Sequence, residues 1–271
     1  MFALFAAAAW GSGDFTGGLA ARRAGVFHTV LISYTVGLLG LVIVALANLE
    51  MLPPLSDMLW GALAGLSGMV GLGCLLRGFS TGRMGIIAPV SACLAAAIPV
   101  IFTALRQGLP RELQLFGFGL ALTGIWLLSR PDQIEGRPAG LGMAMLAGLG
   151  FAGFFLALDQ VGESAVFWPL VASRVAACAA MLVFALATRR PLILPRSLLG
   201  VMALAGVLDV SGNLFFLLAI KSGRLDIATV LGSLYPAVTT ILAWLVAKEQ
   251  MAHHQMIGVA AAVMAIVLIT I

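Results

Sequence analysis

The sequence predicts an all-α membrane protein, ten transmembrane helices arranged as two inverted five-helix repeats (5+5) around a central cavity. Three observations carry that expectation. The 271 residues are 62% hydrophobic and only 10% charged, with a mean hydropathy of +1.11, whereas a soluble domain carries roughly 25% charged residues. Apolar runs of about 20 residues, the length that crosses a ~30 Å hydrocarbon core, recur along the whole chain. The second half then echoes the first at a separation of 141 residues. Ala203-Leu204-Ala205-Gly206-Val207 repeats Ala62-Leu63-Ala64-Gly65-Leu66, and Gly212, Ser222-Gly223-Arg224, Gln255 and Gly258 fall on Gly71, Thr81-Gly82-Arg83, Gln114 and Gly117. A register held that long is the mark of a duplication. The period-two alternation of a transmembrane barrel is absent.

Taken in order, the runs place spans at 2–20, 28–48, 57–77, 85–105, 112–129, 138–158, 165–187, 197–220, 226–247 and 253–271. The first begins apolar with no basic segment before it, which reads as a retained span and not a cleaved signal. Arg22-Arg23 ends it, and Pro53-Pro54 turns the chain after the second. The stretch 131–138, flanked by Arg130 and holding Asp132, Glu135 and Arg137, is a short polar linker between repeats at 1–130 and 139–271. Five spans per repeat is an odd number, so the second copy enters the bilayer from the opposite face. Inverted repeats of this kind carry a substrate site near the midplane where the halves meet.

The net charge of +4 does not indicate a nucleic-acid partner, because the basic residues sit at the ends of apolar runs, where headgroups and topology account for them. Counted in alternating connections, Arg22, Arg23, Arg77, Arg83, Arg130, Arg137, Arg189, Arg190, Arg196 and Lys248 lie at one end of the bundle. Arg106, Arg111, Lys221 and Arg224 lie at the other. That count places both termini outside. Cys74, Cys93 and Cys178 all fall inside apolar spans and read as small core residues. No cluster with metal-ligand spacing and no nucleotide-binding loop occurs, so no metal or cofactor is expected.

Ionisable groups inside a span cost a few kcal/mol to insert and are functional candidates by default. Asp14 lies in span one, four residues after Trp10 and so on the same helix face, beside a Gly13/Gly17 step that admits a second helix. Asp209 in span eight has Asn213 one turn along. Arg174, near the middle of span seven, either binds an anionic group or pairs internally with Asp14 or Asp209. Pro89 and Pro99 in span four and Pro236 in span nine each remove a helical hydrogen bond. They predict kinked walls with Ser91, Ser233 and Tyr235 beside them. Tyr34 and His28 in span two are further candidates, whereas Trp60, Trp126, Trp168 and Trp244 read as interfacial anchors. Ser12 between glycines has no His in a later span to serve as its base, and the chain is not expected to be an enzyme.

Trp10-Gly11-Ser12-Gly13-Asp14-Phe15, Gly82-Arg83 with Ala88-Pro89, and Lys248-Glu249 before Gly258 together resemble the drug/metabolite transporter superfamily in its EamA-type branch, over essentially the whole chain. The resemblance implies ten helices about a central cavity and export of small metabolites such as amino acids, nucleosides or amphipathic cations. It also implies cytoplasmic termini, opposite to the basic-residue count. Gly108 stands where the family has a glutamate before span five. The expectation is a multi-pass secondary transporter of the inner or plasma membrane, working by alternating access as a monomer or weak dimer. Trp10, Asp14, Asp209, Asn213, Tyr235 and Arg174 would serve substrate or coupling, with protons the candidate coupling ion. The rival reading is a passive or lipid-handling facilitator, or a membrane scaffold without turnover.

Overall fold

A computed structural model describes residues 1–81, 84–129, 141–163, 165–189, 196–247 and 252–270. The helices are α1 (Phe2–Ala24), α2 (Val26–Ala47), α3 (Leu55–Thr81), α4 (Met84–Gln107), α5 (Glu112–Ser129), α6 (Leu141–Asp159), α7 (Phe167–Ala187), α8 (Leu199–Lys221), α9 (Leu225–Gly232), α10 (Tyr235–Ala247) and α11 (His253–Thr270), with one 3-10 turn at Arg196–Leu198. Among the described residues eight segments are long and apolar enough to cross a membrane, α9 and α10 counting together as Leu225–Val246. The other two expected spans fall short of that measure for separate reasons. In α1 the length suffices at 23 residues, but the glycines and polar groups from Trp10 to Gly18 dilute its hydropathy. In α5 the apolar run, Glu112–Leu127, is shorter. The linker lies outside the described residues, as do Gly82, Arg83, Lys248 and Glu249.

The packing obeys the repeat. Helix α1 packs on α8 and α6 on α3, α2 packs on α8 and α7 on α3, and α4 packs on α6 as α10 packs on α1. The pairs α2–α7 and α5–α11 lie against their own counterparts. Each contact is exchanged with another when the halves are exchanged. The same holds at the level of side chains. A Cβ at Gly65 would overlap the Ser173 carbonyl, and one at Gly206 the Ser33 carbonyl. The Trp10 indole lies on Gly212, and its counterpart Phe151 lies on Gly71. Between α2 and α7 the register is 140 residues, since Ser33 and Ser173 are the equivalent pair.

Helices in lipid gain little from apolar burial against one another and associate through close van der Waals packing, which small residues permit. Gly61, Gly65 and Gly206 supply this, each lying on the backbone of the facing helix. Ser33 adds a hydrogen bond across the same seam, its hydroxyl donating to the Met202 carbonyl at 2.9 Å.

The prolines of spans four and nine sit in different surroundings. Helix α4 runs unbroken from Met84 to Gln107 with Pro99 buried inside it. Pro89 lies in the same helix, and its side-chain surroundings are outside the described residues. The interruption is in span nine alone, at Ser233-Leu234. There the Ser233 N–H donates to Thr229 O at 2.9 Å, Leu234 to Leu231 O at 3.3 Å, and Ala237 to Leu234 O at 2.9 Å. Pro236 falls in the first turn of α10, where a missing N–H is tolerated.

One end of the bundle is tied by polar contacts between connections. The Glu50 carboxylate accepts hydrogen bonds from the N–H groups of Val166 (2.6 Å), Phe167 (2.9 Å) and Trp168 (3.0 Å). It thereby puts negative charge where the first turn of α7 presents free donors. The Trp168 indole N–H donates to the Glu50 carbonyl at 2.8 Å. Lys221 donates to the Gly162 carbonyl, and Arg224 bridges Asp226 and the Gly108 carbonyl, at 2.9 and 3.1 Å.

The seam is directly testable. Gly65→Val should destabilise the protein by about 1–3 kcal/mol or more, the usual range for an overpacked contact. Gly18→Ala, at a position with nothing within 4 Å, should be neutral or stabilising. Thermal melts in detergent compare the two.

Candidate functional site

The six expected site residues meet in one place. Trp10, Asp14, Arg174, Asp209, Asn213 and Tyr235 all line a single central cavity. Tyr34 joins them, whereas His28 does not and lies at a separate groove. The cavity is narrow, with about 60 Å³ open to the centres of water-sized spheres. That is room for roughly five waters at about 10–15 Å³ each, or one small organic group.

Its walls differ. One is polar, made by Asp14 of α1, Ser173 and Arg174 of α7, and Asp209 and Asn213 of α8. Another part of the lining is apolar, made by Gly65, Gly68 and Leu72 of α3, Ala95 of α4, and Phe151, Phe154 and Phe155 of α6. The repeat explains the division. Asp14, Asp209 and Asn213 stand at the positions of Phe155, Gly68 and Leu72 in the other copy, and Arg174 at that of Tyr34.

Arg174 is 3% exposed and forms an ion pair with Asp209. Its guanidinium also lies over the Tyr34 ring, 4.2 Å from the centroid, a favourable placement for a desolvated cation. Its Nε has no hydrogen-bond partner. Of the two readings of Arg174, the internal pair with Asp209 is the one formed. Asp14 has no ion pair among the described residues. Arg22 and Arg23, two turns on, are exposed at the end of α1.

Asn213 accepts a hydrogen bond from the Trp10 indole N–H at 2.8 Å. This holds the indole flat against Gly212 and within an aromatic stack. Trp10 lies 5.4 Å from Phe216 and 5.7 Å from Phe155 between ring centroids, and Phe155 lies 4.5 Å from Phe216. Phe216 is fully buried. The stack separates the cavity from the end of the bundle tied by Glu50. Tyr235 closes the same region, its hydroxyl next to Ser91 without a well-formed hydrogen bond.

Sequence reasoning missed Ser173, Gly65 and the three phenylalanines of α6. The phenylalanines carried a signal, since Phe151 and Phe155 fall on Trp10 and Asp14 in the repeat register.

A family match places this bundle of internally repeated halves among membrane transporters of the drug/metabolite class. The chain belongs to the EamA-like transporter family, which it matches over residues 1–130 and again over 138–271. A solved structure titled only "Crystal structure of protein" has the same fold, with a TM-score of 0.78 and 18% identity, covering 99% of this chain and 95% of that one. No curated protein matches the sequence.

The ion pair can be tested by its asymmetry. Removing one partner of a buried pair strands the other, at about 3–5 kcal/mol, while replacing both by apolar groups is often neutral. Arg174→Met alone should therefore lower the melting temperature sharply, and Arg174→Met with Asp209→Leu should recover most of the loss.

Proposed function

We propose that this protein is a secondary transporter of ten membrane-crossing helices in two inverted sets of five. It exports a small amphipathic amine from the cell across the inner or plasma membrane by alternating access. The observation that carries this is the charge balance of the cavity. Arg174 and Asp209 neutralise each other, leaving Asp14 as the one carboxylate without a protein counter-ion. A carboxylate inside a membrane span is tolerated only when something compensates it. The compensating charge then comes from whatever occupies the cavity, either a proton or a cationic substrate.

Competition of those two for Asp14 is a coupling mechanism. A substrate ammonium displaces the proton at one face of the membrane, and the proton displaces the substrate at the other. The aromatic wall of α6 receives the apolar body of the substrate, Trp10 and Tyr235 close over it, and Asn213 offers its free amide. Among the classes implied by the resemblance, this balance favours cations over nucleosides, which carry no charge for Asp14. Asn213 also serves Trp10, so Asn213→Ala should affect both substrate affinity and the aromatic stack.

The test is uptake of radiolabelled phenethylamine into proteoliposomes, with binding measured separately in detergent. Loss of a charge-assisted contact, about 1.5–3 kcal/mol, should make Asp14→Asn bind ten- to a hundredfold more weakly without lowering its melting temperature. Uptake by the wild type should follow an imposed pH gradient, and uptake indifferent to that gradient would falsify proton coupling.

A further inference from the structure

A second, larger recess lies outside the central cavity, between α2, α3 and α7 at the end of the bundle opposite Glu50. It has about 580 Å³ open to the centres of water-sized spheres, several times the room in the central cavity. Its floor is apolar, with Phe27 and Val30 from α2, Met69 and Gly73 from α3, and Met181 and Phe184 from α7. Its rim carries His28 and Arg77, and the α1–α2 turn at Ala24-Gly25 completes it. Arg77 is exposed, as are Arg22 and Arg23 just before that turn. A Cβ at Gly73 meets nothing within 4 Å, so the recess is open along the α3 face and not filled by a neighbouring side chain.

The repeat supplies an internal control. In the second copy the residues equivalent to Met69, Gly73 and Arg77 are Val210, Leu214 and Leu218, and the residue equivalent to His28 is Trp168. Branched chains thus replace the glycine and the cation, and Trp168 is hydrogen-bonded to the Glu50 carbonyl. The recess and its basic rim therefore exist in one copy only. Among the described residues Arg22, Arg23, Arg77, Arg189 and Arg196 also lie at this end. Basic recesses between membrane helices on the positively charged side suit anionic lipid headgroups, and apolar floors of this kind suit acyl chains.

We propose that this recess binds one anionic phospholipid, its phosphate held by Arg77 and His28 at the rim and an acyl chain lying on Phe27, Val30, Met69, Met181 and Phe184. The ligand class follows from the pairing of a cationic rim with an apolar floor at the membrane edge. The site is distinct from the central cavity and does not depend on what that cavity transports.

Native mass spectrometry of the full chain, delipidated and then exposed to equal phosphatidylglycerol and phosphatidylcholine, tests this. The expected result is one retained phosphatidylglycerol per chain, preferred at least tenfold. Arg77→Gln should abolish the preference by removing the headgroup contact. Gly73→Phe should block retention by filling the floor, with melting temperature unchanged because the position is open. Equal retention of the two lipids would overturn the proposal, as would retention unaffected by both substitutions. Displacement of the lipid by phenethylamine in the wild type but not in Asp14→Asn would also overturn it, because the recess would then be a vestibule of the transport path.

Discussion

The architecture depends on how closely two pairs of helices can approach. Gly65 lets α3 lie on the backbone of α7, and Gly206 lets α8 lie on the backbone of α2. Within a bilayer there is no water to expel from between helices, so such contacts are what hold them together. They also fix the spacing of the cavity walls. Any side chain at those two positions would separate α3 from α7 or α8 from α2, and Arg174 and Asp209 on those same helices would lose their alignment. The ion pair is thus a consequence of the glycine seam as much as a contributor to it.

On that nearly symmetric frame the chemistry is one-sided. The positions that hold the helices together are the same in both copies, as Gly65 and Gly206 or Gly71 and Gly212 show. The positions that face the cavity are not: Asp14 stands where its counterpart is Phe155, and Asp209 where its counterpart is Gly68. A duplicated scaffold whose packing residues are held and whose cavity residues differ produces a chamber with a charged wall and an aromatic wall. The mixed lining of the cavity arises from that difference and not from any single motif.

Much of this was legible in the sequence, and the physical reasons are specific. Helix positions followed from the runs because a bilayer of fixed thickness dictates their length, so that the span expected at 165–187 is α7 at Phe167–Ala187. The six candidates converge because a charged or strongly polar group in an apolar run must face protein, and the interior of a small bundle is one place. Other features were hidden for equally physical reasons. Whether Arg174 would bind an anion or pair with Asp209 depended on distances between helices far apart in sequence. Pro99 in α4 and Pro236 in span nine look alike in composition, yet only the second lies by an interruption, since a packed helix can absorb a lost hydrogen bond as a bend. No periodicity marked the lining face of α6, because nearly every residue in that helix is apolar, and only the repeat register pointed to it.

The interruption in span nine bears on how such a chamber can open. The first of its two segments, α9, lies on both α4 and α1, and the second, α10, lies on α1. Gly232, at the end of α9, touches the Trp10 ring, while Gly11 lies on the Tyr235 carbonyl and accepts a hydrogen bond from Thr239 Oγ1 at 3.0 Å. Pro236 has no N–H to offer the Gly232 carbonyl, so the helical ladder is already open there. The two segments of the span are therefore joined without a continuous helical ladder. The counterpart span, α4, is unbroken, so this division belongs to the second copy alone.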